Sequence, residues 1–321
     1  MKKVIITGAT GAIGIALIKY ALKENLEVLA ICHRGSKRIN RLPNDAKVHI
    51  LELSVDEYEE FVENGNDIAC YGKYDCFFHL AWQGTTGLAR NDMSLQLENI
   101  RYTLDAVELA AAFGCECFVG AGSQAEYGRV EGKISSKTAT FPENGYGIAK
   151  LCAGQMSRIK CEQLGIKHIW TRILSVYGPC DGENSLIMSA VNGFMKKQKT
   201  EFTEGMQKWD YLYSEDAARI MYGLVKYGKS GNTYCVGSGK IQLLKDYIRQ
   251  VYIAVNDYDI SDKDMGIGCR PYMDKQVMYL QADTSEWPIE LQQEFEQFPM
   301  RSFEKGIKEV IEWKKSVEKE E

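Results

Sequence analysis

The sequence predicts an α/β fold in which a doubly wound parallel sheet is followed by a smaller α+β part. Short apolar segments alternate with helix-length amphipathic segments through the first half of the chain. The apolar segments are rich in Val, Ile and Phe without polar alternation, which indicates strands that are buried on both faces. A glycine-rich turn follows the first of these strands and opens the first helix. Sheets of this class bind ligands at the carboxyl ends of their strands.

Six strands and four helices account for the first part of the chain. The strands are predicted at 3–7, 27–32, 47–51, 75–81, 117–121 and 168–174. The helical patterns lie between them at 12–23, 56–64, 95–113 and 147–164. Beyond about residue 180, helical patterns at 184–198, 215–228, 241–254 and 303–317 mix with strand-like segments at 232–236 and 276–280. No Pro- or Gly-rich linker separates the two parts, so we expect them to be partly interwoven.

Composition argues against several classes of function. The 321 residues are 45% hydrophobic, which is enough for a full core, and the net charge is −5. An acidic chain gives no reason to expect a nucleic-acid partner. No uncharged apolar segment approaches the ~20 residues of a membrane helix, so no membrane partner is expected. The ten cysteines are scattered, without a C-x-x-C pair or a histidine at zinc-finger spacing, which favours a cytoplasmic protein without a metal site.

The glycine-rich turn, "TGATGAIG" at 7–14, predicts a dinucleotide site in a Rossmann-type sheet. Gly8, Gly11 and Gly14 have the spacing G-x-x-G-x-x-G. Glycines here permit a tight turn and let the backbone approach a pyrophosphate, while the helix N-terminus presents unpaired N–H groups. Elsewhere in a chain such a triplet is a structural turn; directly after the first strand it indicates a nucleotide cofactor.

The end of the second strand predicts which cofactor is bound. NAD sites carry an acidic residue there, which bonds the ribose 2′-hydroxyl. This chain has "CHRGSKR" instead, with His33, Arg34, Ser36, Lys37 and Arg38. Arginine suits a 2′-phosphate, so the loop favours NADP over NAD, the alternative being a merely solvated basic loop.

A hydroxyl and lysine set predicts proton transfer. Tyr146 and Lys150 are four residues apart and share one face of a predicted helix. A nearby ammonium lowers the pKa of a phenol, which makes Tyr146 a candidate general acid/base. Ser123 follows the fifth strand and can hydrogen-bond the same reacting oxygen. An isolated Tyr-x-x-x-Lys is usually a surface pair, but here the glycine loop, the serine and the lysine pair occur in order at matching strand ends.

In these motifs the chain resembles the extended short-chain dehydrogenases/reductases of the NAD-dependent epimerase/dehydratase family, which act on nucleotide sugars. The resemblance extends from residue 3 to about 285, through "TGATGAIG", "FFHLA", "LENIRYTLDAVELA", "FVGAGSQAEYG", "YGIAK", "RILSVYGP", "QKWDYLYSEDAA" and "RPYMDKQVMYLQADTS". It implies a cofactor-binding domain at 1–175 and a nucleotide-sugar domain at 176–321. It also implies a homodimer, paired through the helical segments at 95–113 and 146–164.

The same resemblance implies individual site residues. Ser123, Tyr146 and Lys150 would form the catalytic trio, and the last two would also contact the cofactor. Besides the basic loop, we assign to the cofactor site Gly8, Thr10, Gly11, Ala12, Ile13, Leu53, Leu80, Ala81, Asn99, Ala121 and Ile173. We assign to the substrate side Trp82, Gln124, Ser175, Trp209 and Arg270.

Departures from the family pattern favour one chemistry. The family's dehydratases have Asp and Glu directly after the hydroxyl residue, whereas this chain has Gln124 and Ala125, which carry no titratable group, and Glu126 is out of register. We therefore predict hydride transfer without loss of water, namely NADPH-dependent reduction of a 4-keto-6-deoxyhexose. A UDP-hexose-type 4-epimerase with tightly bound NAD is the alternative. A non-enzymatic NADP sensor is a distant third, because such a protein has no need of the catalytic trio.

Three aromatic and charged residues keep more than one interpretation at this point. Trp209 either stacks on a nucleobase or packs. Arg172, in the sixth strand, either contacts phosphate or belongs to a structural ion pair. Tyr127 is interpreted as a packing or substrate-side residue, because the lysine spacing moves the catalytic role to Tyr146.

Overall fold

The computed structural model of the chain describes residues 1–65 and 68–320, apart from the side chain of residue 320. Its strands are β1 Lys3–Thr7, β2 Glu27–Cys32, β3 Val48–Glu52, β4 Cys76–His79, β5 Cys117–Ser123, β6 Lys167–Ile173, β7 Ser175–Tyr177, β8 Lys208–Trp209, β9 Tyr211–Tyr213, β10 Asn232–Val236 and β11 Gln242–Leu243. Its helices are α1 Ala12–Lys23, α2 Tyr58–Asn64, α3 Ile68–Tyr71, α4 Met93–Ala112, α5 Gly145–Gln163, α6 Leu186–Met195, α7 Ser214–Tyr227, α8 Leu244–Asn256, α9 Ile289–Gln297 and α10 Phe303–Glu320.

Seven strands form one parallel sheet in the order β10-β6-β5-β4-β1-β2-β3. The order reverses at β1, so β1 and its neighbour β4 flank the topological switch point where ligands bind in such sheets. The predicted α/β fold with a doubly wound parallel sheet is confirmed.

Alternate residues of each central strand enter two different cores. Val4 and Ile6 of β1 pack into the core on the side of α1 and α7. Ile5 packs into the core on the side of α2 and α4. All three side chains are fully buried, which is why the strand sequences show no polar alternation.

A third core lies in the smaller part of the molecule. Its apolar side chains come mainly from α6, α8 and α10, together with aromatic residues of β7 and β9. Two small sheets, β7 with β9 and β8 with β11, connect this part to the end of the large sheet.

Some elements differ from the sequence-based expectation. The segment 232–236 was grouped with the second part of the chain, but as β10 it extends the large sheet beside β6. The segment 276–280 is not a strand, because it makes an isolated bridge between Tyr279 and Lys208. Helix α9 was not predicted. The sheet therefore takes its edge strand from beyond residue 175.

Within the described ranges 1–65 and 68–320, no helix combines the length and the apolar character that a membrane span requires.

Candidate active site

The glycine turn lies where β1 ends against the β4 strand. Gly8 has a positive φ of 65°, and a Cβ atom there would lie 2.9 Å from the backbone nitrogen of Ala81. Both facts require glycine, because a side chain would be strained and would collide with backbone. Gly11 precedes α1 and makes no side-chain cap, so the first N–H groups of the helix have no side-chain partner at this position. This is the chemistry of a pyrophosphate cradle.

A groove of about 590 Å³ runs from this turn across the end of the sheet. The residues predicted for the cofactor that line it are Gly8, Thr10, Gly11, His33, Arg38, Leu53, Leu80 and Ala81. Cys32, Val55 and Tyr58 also line it and were not predicted, because nothing in their local sequence marks them. An apolar wall beside a helix N-terminus fits the adenosine diphosphate half of a nicotinamide dinucleotide.

The four predicted basic residues of the 33–38 loop have different surroundings. The Arg34 guanidinium bonds Glu57, with Nε and Nη2 each 3.0 Å from Oε1. Arg38 and Ser36 both line the groove, and the Ser36 hydroxyl accepts a bond from the Arg38 backbone N–H. Lys37 begins a short 3-10 turn, Lys37–Arg41, and is exposed. Arg38 is therefore the loop cation best placed to meet a ligand in the groove.

Buried polar groups hold the floor of the groove. The Thr7 hydroxyl accepts bonds from the backbone N–H groups of Leu80 and Ala81, both at 3.1 Å. Asn99 is buried on α4 and bonds both the N–H and the carbonyl of Gln83. The Asn99 side chain thus supports the loop after β4 by bonding the backbone of that loop.

The catalytic trio predicted from the sequence comes together where β5 ends and α5 begins. Tyr146 is 9% exposed, and the Ser123 side chain lies close enough to its phenol to influence the pKa. Burial raises the pKa of Tyr146, whereas hydrogen bonding by Ser123 and then the positive charge of Arg90 lower it. The first turn of α5 reaches this position because Gly147 has no side chain: a Cβ there would lie 2.3 Å from the Ala125 carbonyl oxygen.

Lys150 is buried one turn further along α5. Its Nζ donates a 2.6 Å hydrogen bond to the carbonyl of Ala121 and lies 3.6 Å from the centroid of the Trp82 ring. The same nitrogen is 5.8 Å from the centroid of the Tyr146 ring. Burial lowers the pKa of Lys150 to about 7.

Two side chains of the loop between β4 and α4 cover Tyr146. Trp82 contacts the phenol ring edge-on, with centroids 6.0 Å apart. The Arg90 guanidinium carbon lies 4.2 Å from the Tyr146 centroid. Trp82 was predicted as a substrate-side residue, but Arg90 was not, because it lies in a turn with no motif of its own.

Glu126 lies completely buried behind the site. Its carboxylate accepts bonds from the Ser123 backbone N–H at 2.8 Å, from Trp170 Nε1 at 3.0 Å and from Arg172 Nε at 2.6 Å. Arg172 therefore belongs to a structural ion pair, which is the second of the two roles that the sequence left open for it. Tyr127 packs against Arg172 and donates its hydroxyl to the Ser135 carbonyl, so it is a packing residue.

Three of the five predicted substrate-side residues, Ser175, Trp209 and Arg270, come after β6 in the chain. Trp209 Nε1 donates a 2.7 Å bond to Ser175 Oγ, which joins two of them directly. Trp209 and Arg270 line a slot of about 260 Å³ with mainly apolar walls. Gln207 also lines this slot, and its buried Oε1 has no hydrogen-bond partner among the described residues. Gln124, at the end of β5, is partly exposed.

Residues 4–237 match the sequence profile of the NAD dependent epimerase/dehydratase family. The chain belongs to this family. The match spans the glycine turn, Ser123, Tyr146, Lys150 and the large sheet from β1 to β10.

Two relatives and one solved structure are named for three different reactions. The dTDP-glucose 4,6-dehydratase of Neisseria meningitidis is 19% identical over 98% of this chain and 93% of its own length. The dTDP-4-dehydro-6-deoxyglucose reductase of Escherichia coli is 24% identical over 79% of this chain and 82% of its own. The UDP-glucuronic acid 4-epimerase of Bacillus cereus, solved with UDP-glucuronic acid and NAD, superposes with a TM-score of 0.78 at 18% identity, over 98% of this chain and 99% of that one. This enzyme family is thus established, while the choice of reaction rests on residues.

Proposed function

We propose that this enzyme reduces the ketone of a nucleoside-diphosphate 4-keto-6-deoxyhexose with NADPH. The observation that carries the proposal is the state of the three residues after Ser123. Gln124 and Ala125 cannot transfer a proton at neutral pH. Glu126 could, but its carboxylate is fully buried and bound to Arg172, Trp170 and the Ser123 backbone. Elimination of water needs an acid and a base at these positions, whereas reduction of a ketone needs only a proton donor, which Tyr146 can supply.

The side chains present are sufficient for the proton half of such a reduction. The groove residues would hold a nicotinamide cofactor, which would supply a hydride to the carbonyl carbon. Tyr146 gives its phenolic proton to the carbonyl oxygen, which becomes the hydroxyl. Ser123 neighbours the same phenol and can hydrogen-bond the carbonyl oxygen. Trp82 and Arg90 cover this position and limit access of water to it.

The basic loop supports NADPH as the cofactor. Arg38 and Ser36 line the groove beside the end of β2, where a 2′-phosphate would lie. The loop has no carboxylate between His33 and Arg38 to bond a ribose 2′-hydroxyl.

The slot lined by Trp209, Arg270 and Gln207 supports a nucleotide as the part of the substrate that the enzyme binds there. Its apolar walls suit a base, the unpartnered Gln207 oxygen can accept from a base N–H, and Arg270 carries a charge for phosphate. Trp209 lines this slot and bonds Ser175, which follows the end of β6 by two residues.

We further propose that the enzyme is a cytoplasmic homodimer. The scattered cysteines suit a reducing compartment. Helices α4 and α5 pack side by side and leave an apolar surface, with Leu97, Ile148, Met156 and Ile159 between 43% and 64% exposed. A second copy of the same helices would cover it with a closed two-fold interface.

The experiment is a panel of cofactors and sugar nucleotides. Purified enzyme with NADPH and a CDP- or dTDP-4-keto-6-deoxyhexose should consume absorbance at the nicotinamide band. The Tyr146→Phe variant should lose at least about 100-fold in kcat while still binding NADPH. Its matched control is Tyr127→Phe, which removes a hydroxyl from the neighbouring packing residue and should keep activity. Retained NAD and interconversion of UDP-hexoses, with no net consumption of NADPH, would establish the 4-epimerase instead.

A further inference from the structure

A pocket of about 610 Å³ lies between α1, α7 and the start of α10. Among the residues that the structure describes, it shares no lining residue with the cofactor groove or with the slot beside Trp209. Helices α1 and α7 cover one side of the large sheet, whereas α4 and α5 cover the other. The proposed dimer would therefore leave this α1–α7 pocket accessible.

The walls of the α1–α7 pocket carry an excess of positive charge. Two carboxylates line it, and one of them, Asp216, pairs with Arg219 at 3.0 Å. Within the described ranges, five cations and two carboxylates leave an excess of three positive charges in a chain whose net charge is −5. The charged lining residues are Lys19, Lys23, Glu215, Asp216, Arg219, Arg301 and Lys305.

The second carboxylate, Glu215, is shared among three of these cations. The Arg301 guanidinium is nearest, with Nη2 3.1 Å from Oε2, and its Nη1 bonds Glu309 at 2.7 Å. The ammonium groups of Lys19 and Lys23 lie farther from Glu215, at 3.8 and 4.0 Å. The arginine is thus engaged by protein carboxylates, while the lysines are the cations best placed to meet a ligand.

The placement of the lysines is unfavourable unless an anion binds between them. Lys19 and Lys23 are four residues apart on α1, so that like charges repel along one face of the helix. Lys305 lies in the first turn of α10, where the positive end of the helix dipole disfavours a cation. A bound anion offsets both costs.

The volume and the remaining walls fit an organic anion. Pockets for small organic ligands have volumes of about 300 to 1,000 Å³. Tyr20, Pro299 and Met300 supply apolar surface in the same pocket. The Tyr20 ring stacks on Tyr222, with centroids 4.6 Å apart, which holds it in place. A fixed aromatic ring beside several ammonium groups suits a molecule that combines phosphates with a planar base.

We propose that the α1–α7 pocket is a second nucleotide site, in which Lys19, Lys23 and Lys305 bind the phosphates of a nucleoside triphosphate and Tyr20 contacts its base. The excess of three positive charges favours a triphosphate over a single phosphate. This site contains none of the residues that the proposed function uses, and its test needs no turnover.

The test is isothermal titration calorimetry of ATP, with EDTA present, into enzyme saturated with NADP⁺ so that the cofactor groove is filled. Lys19→Gln combined with Lys305→Gln should weaken ATP binding at least about 10-fold, because charge-assisted bonds to phosphate are lost. The matched control combines Lys196→Gln with Lys229→Gln, which removes two exposed lysines outside the pocket and gives the same net charge. It should bind ATP like the wild type.

Two further measurements separate the possible sources of binding. Arg270→Ala alters the substrate slot and should leave ATP binding unchanged. Inorganic tripolyphosphate should bind at least about 10-fold more weakly than ATP, because it has no base to stack.

Four results would overturn the inference. They are no binding of ATP, an equal loss in both double variants, a loss confined to Arg270→Ala, and tripolyphosphate binding as tight as that of ATP. Binding of ATP that depends on Lys19 and Lys305, in an enzyme that reduces no ketone, would uphold the inference and reject the proposed function.

Discussion

The carboxylate of Glu126 and the guanidinium of Arg172 meet at 2.6 Å in a site where both side chains are at most 5% exposed. The pair lies directly beneath Ser123, whose backbone N–H is bonded by the same carboxylate. Burying an ion pair costs free energy, but removing one partner costs more, because the other charge is then buried without a counter-charge. The network therefore fixes the end of β5, from which the site's serine projects.

Breaking this pair should destabilise the whole enzyme. Glu126→Gln leaves the Arg172 charge buried without a counter-charge, and we expect a loss of about 3 to 5 kcal/mol in the free energy of unfolding. Urea denaturation followed by circular dichroism measures it. Glu143→Gln, which breaks the exposed Arg129–Glu143 pair, is the matched control and should change little. Equal effects of the two variants would contradict the structural role of Glu126.

Lys150 should make stability depend on pH. Its pKa of about 7 in the folded protein lies below the ordinary value of 10.5, so between these two pH values the unfolded chain holds more protons. The contribution of Lys150 to the free energy of unfolding therefore falls by about 1.4 kcal/mol for each pH unit between pH 10.5 and pH 7. Below pH 7 this contribution no longer changes.

The Lys150→Met substitution removes this decrease in stability at lower pH. The variant should gain stability relative to the wild type as pH falls from 10 to 7, by several kcal/mol, while losing activity. Thermal denaturation at a series of pH values shows the difference. Lys160→Met, on the same helix in an exposed pair with Glu108, should show no such pH-dependent gain. A constant difference between wild type and Lys150→Met over this range would refute the charge argument.

The two arginines of the basic loop should differ in cofactor binding. Arg38 lines the groove, whereas Arg34 is bonded to Glu57. A charge-assisted bond contributes about 1.5 to 3 kcal/mol, so Arg38→Ala should weaken NADPH binding by about 10- to 100-fold and leave NADH binding nearly unchanged. Arg34→Ala should affect both cofactors little. Isothermal titration calorimetry checks this, and a loss shared equally by both cofactors would count against a 2′-phosphate contact.

The exposed face of α4 and α5 should control assembly. Ile159→Glu places a charge in the surface that the dimer would bury, and the enzyme should become monomeric in analytical ultracentrifugation. Ile253→Glu changes a similarly exposed isoleucine on α8, outside this face, and serves as the control. A wild-type enzyme that sediments as a monomer would reject the proposed dimer at once.

Local sequence was sufficient for the first six strands of the large sheet, whereas its edge strand β10 was grouped with the second part of the chain. Strands such as β1 and β2 are continuous apolar runs because both faces are covered, and their bounds match the prediction. The glycine turn and the trio Ser123, Tyr146 and Lys150 carry their own signals, since close backbone approach and helical spacing leave fixed marks in a sequence.

The charged network around that trio could not be predicted in the same way. Arg90 contacts Tyr146 from a loop that carries no motif. Arg172 had two open interpretations, and contact with Glu126, 46 residues away, decided between them.

The sequence by itself determined the fold class, and it predicted the strand ends at which a ligand would bind and the residues that would transfer a proton. The tertiary structure alone decided which charges act on which groups: Arg34 bonds Glu57, Lys150 bonds a carbonyl, and Arg90 faces Tyr146. The reason is physical. Helical and strand periodicity are set by neighbours a few residues apart, whereas burial and electrostatic pairing depend on distances that the chain fixes only when it is folded.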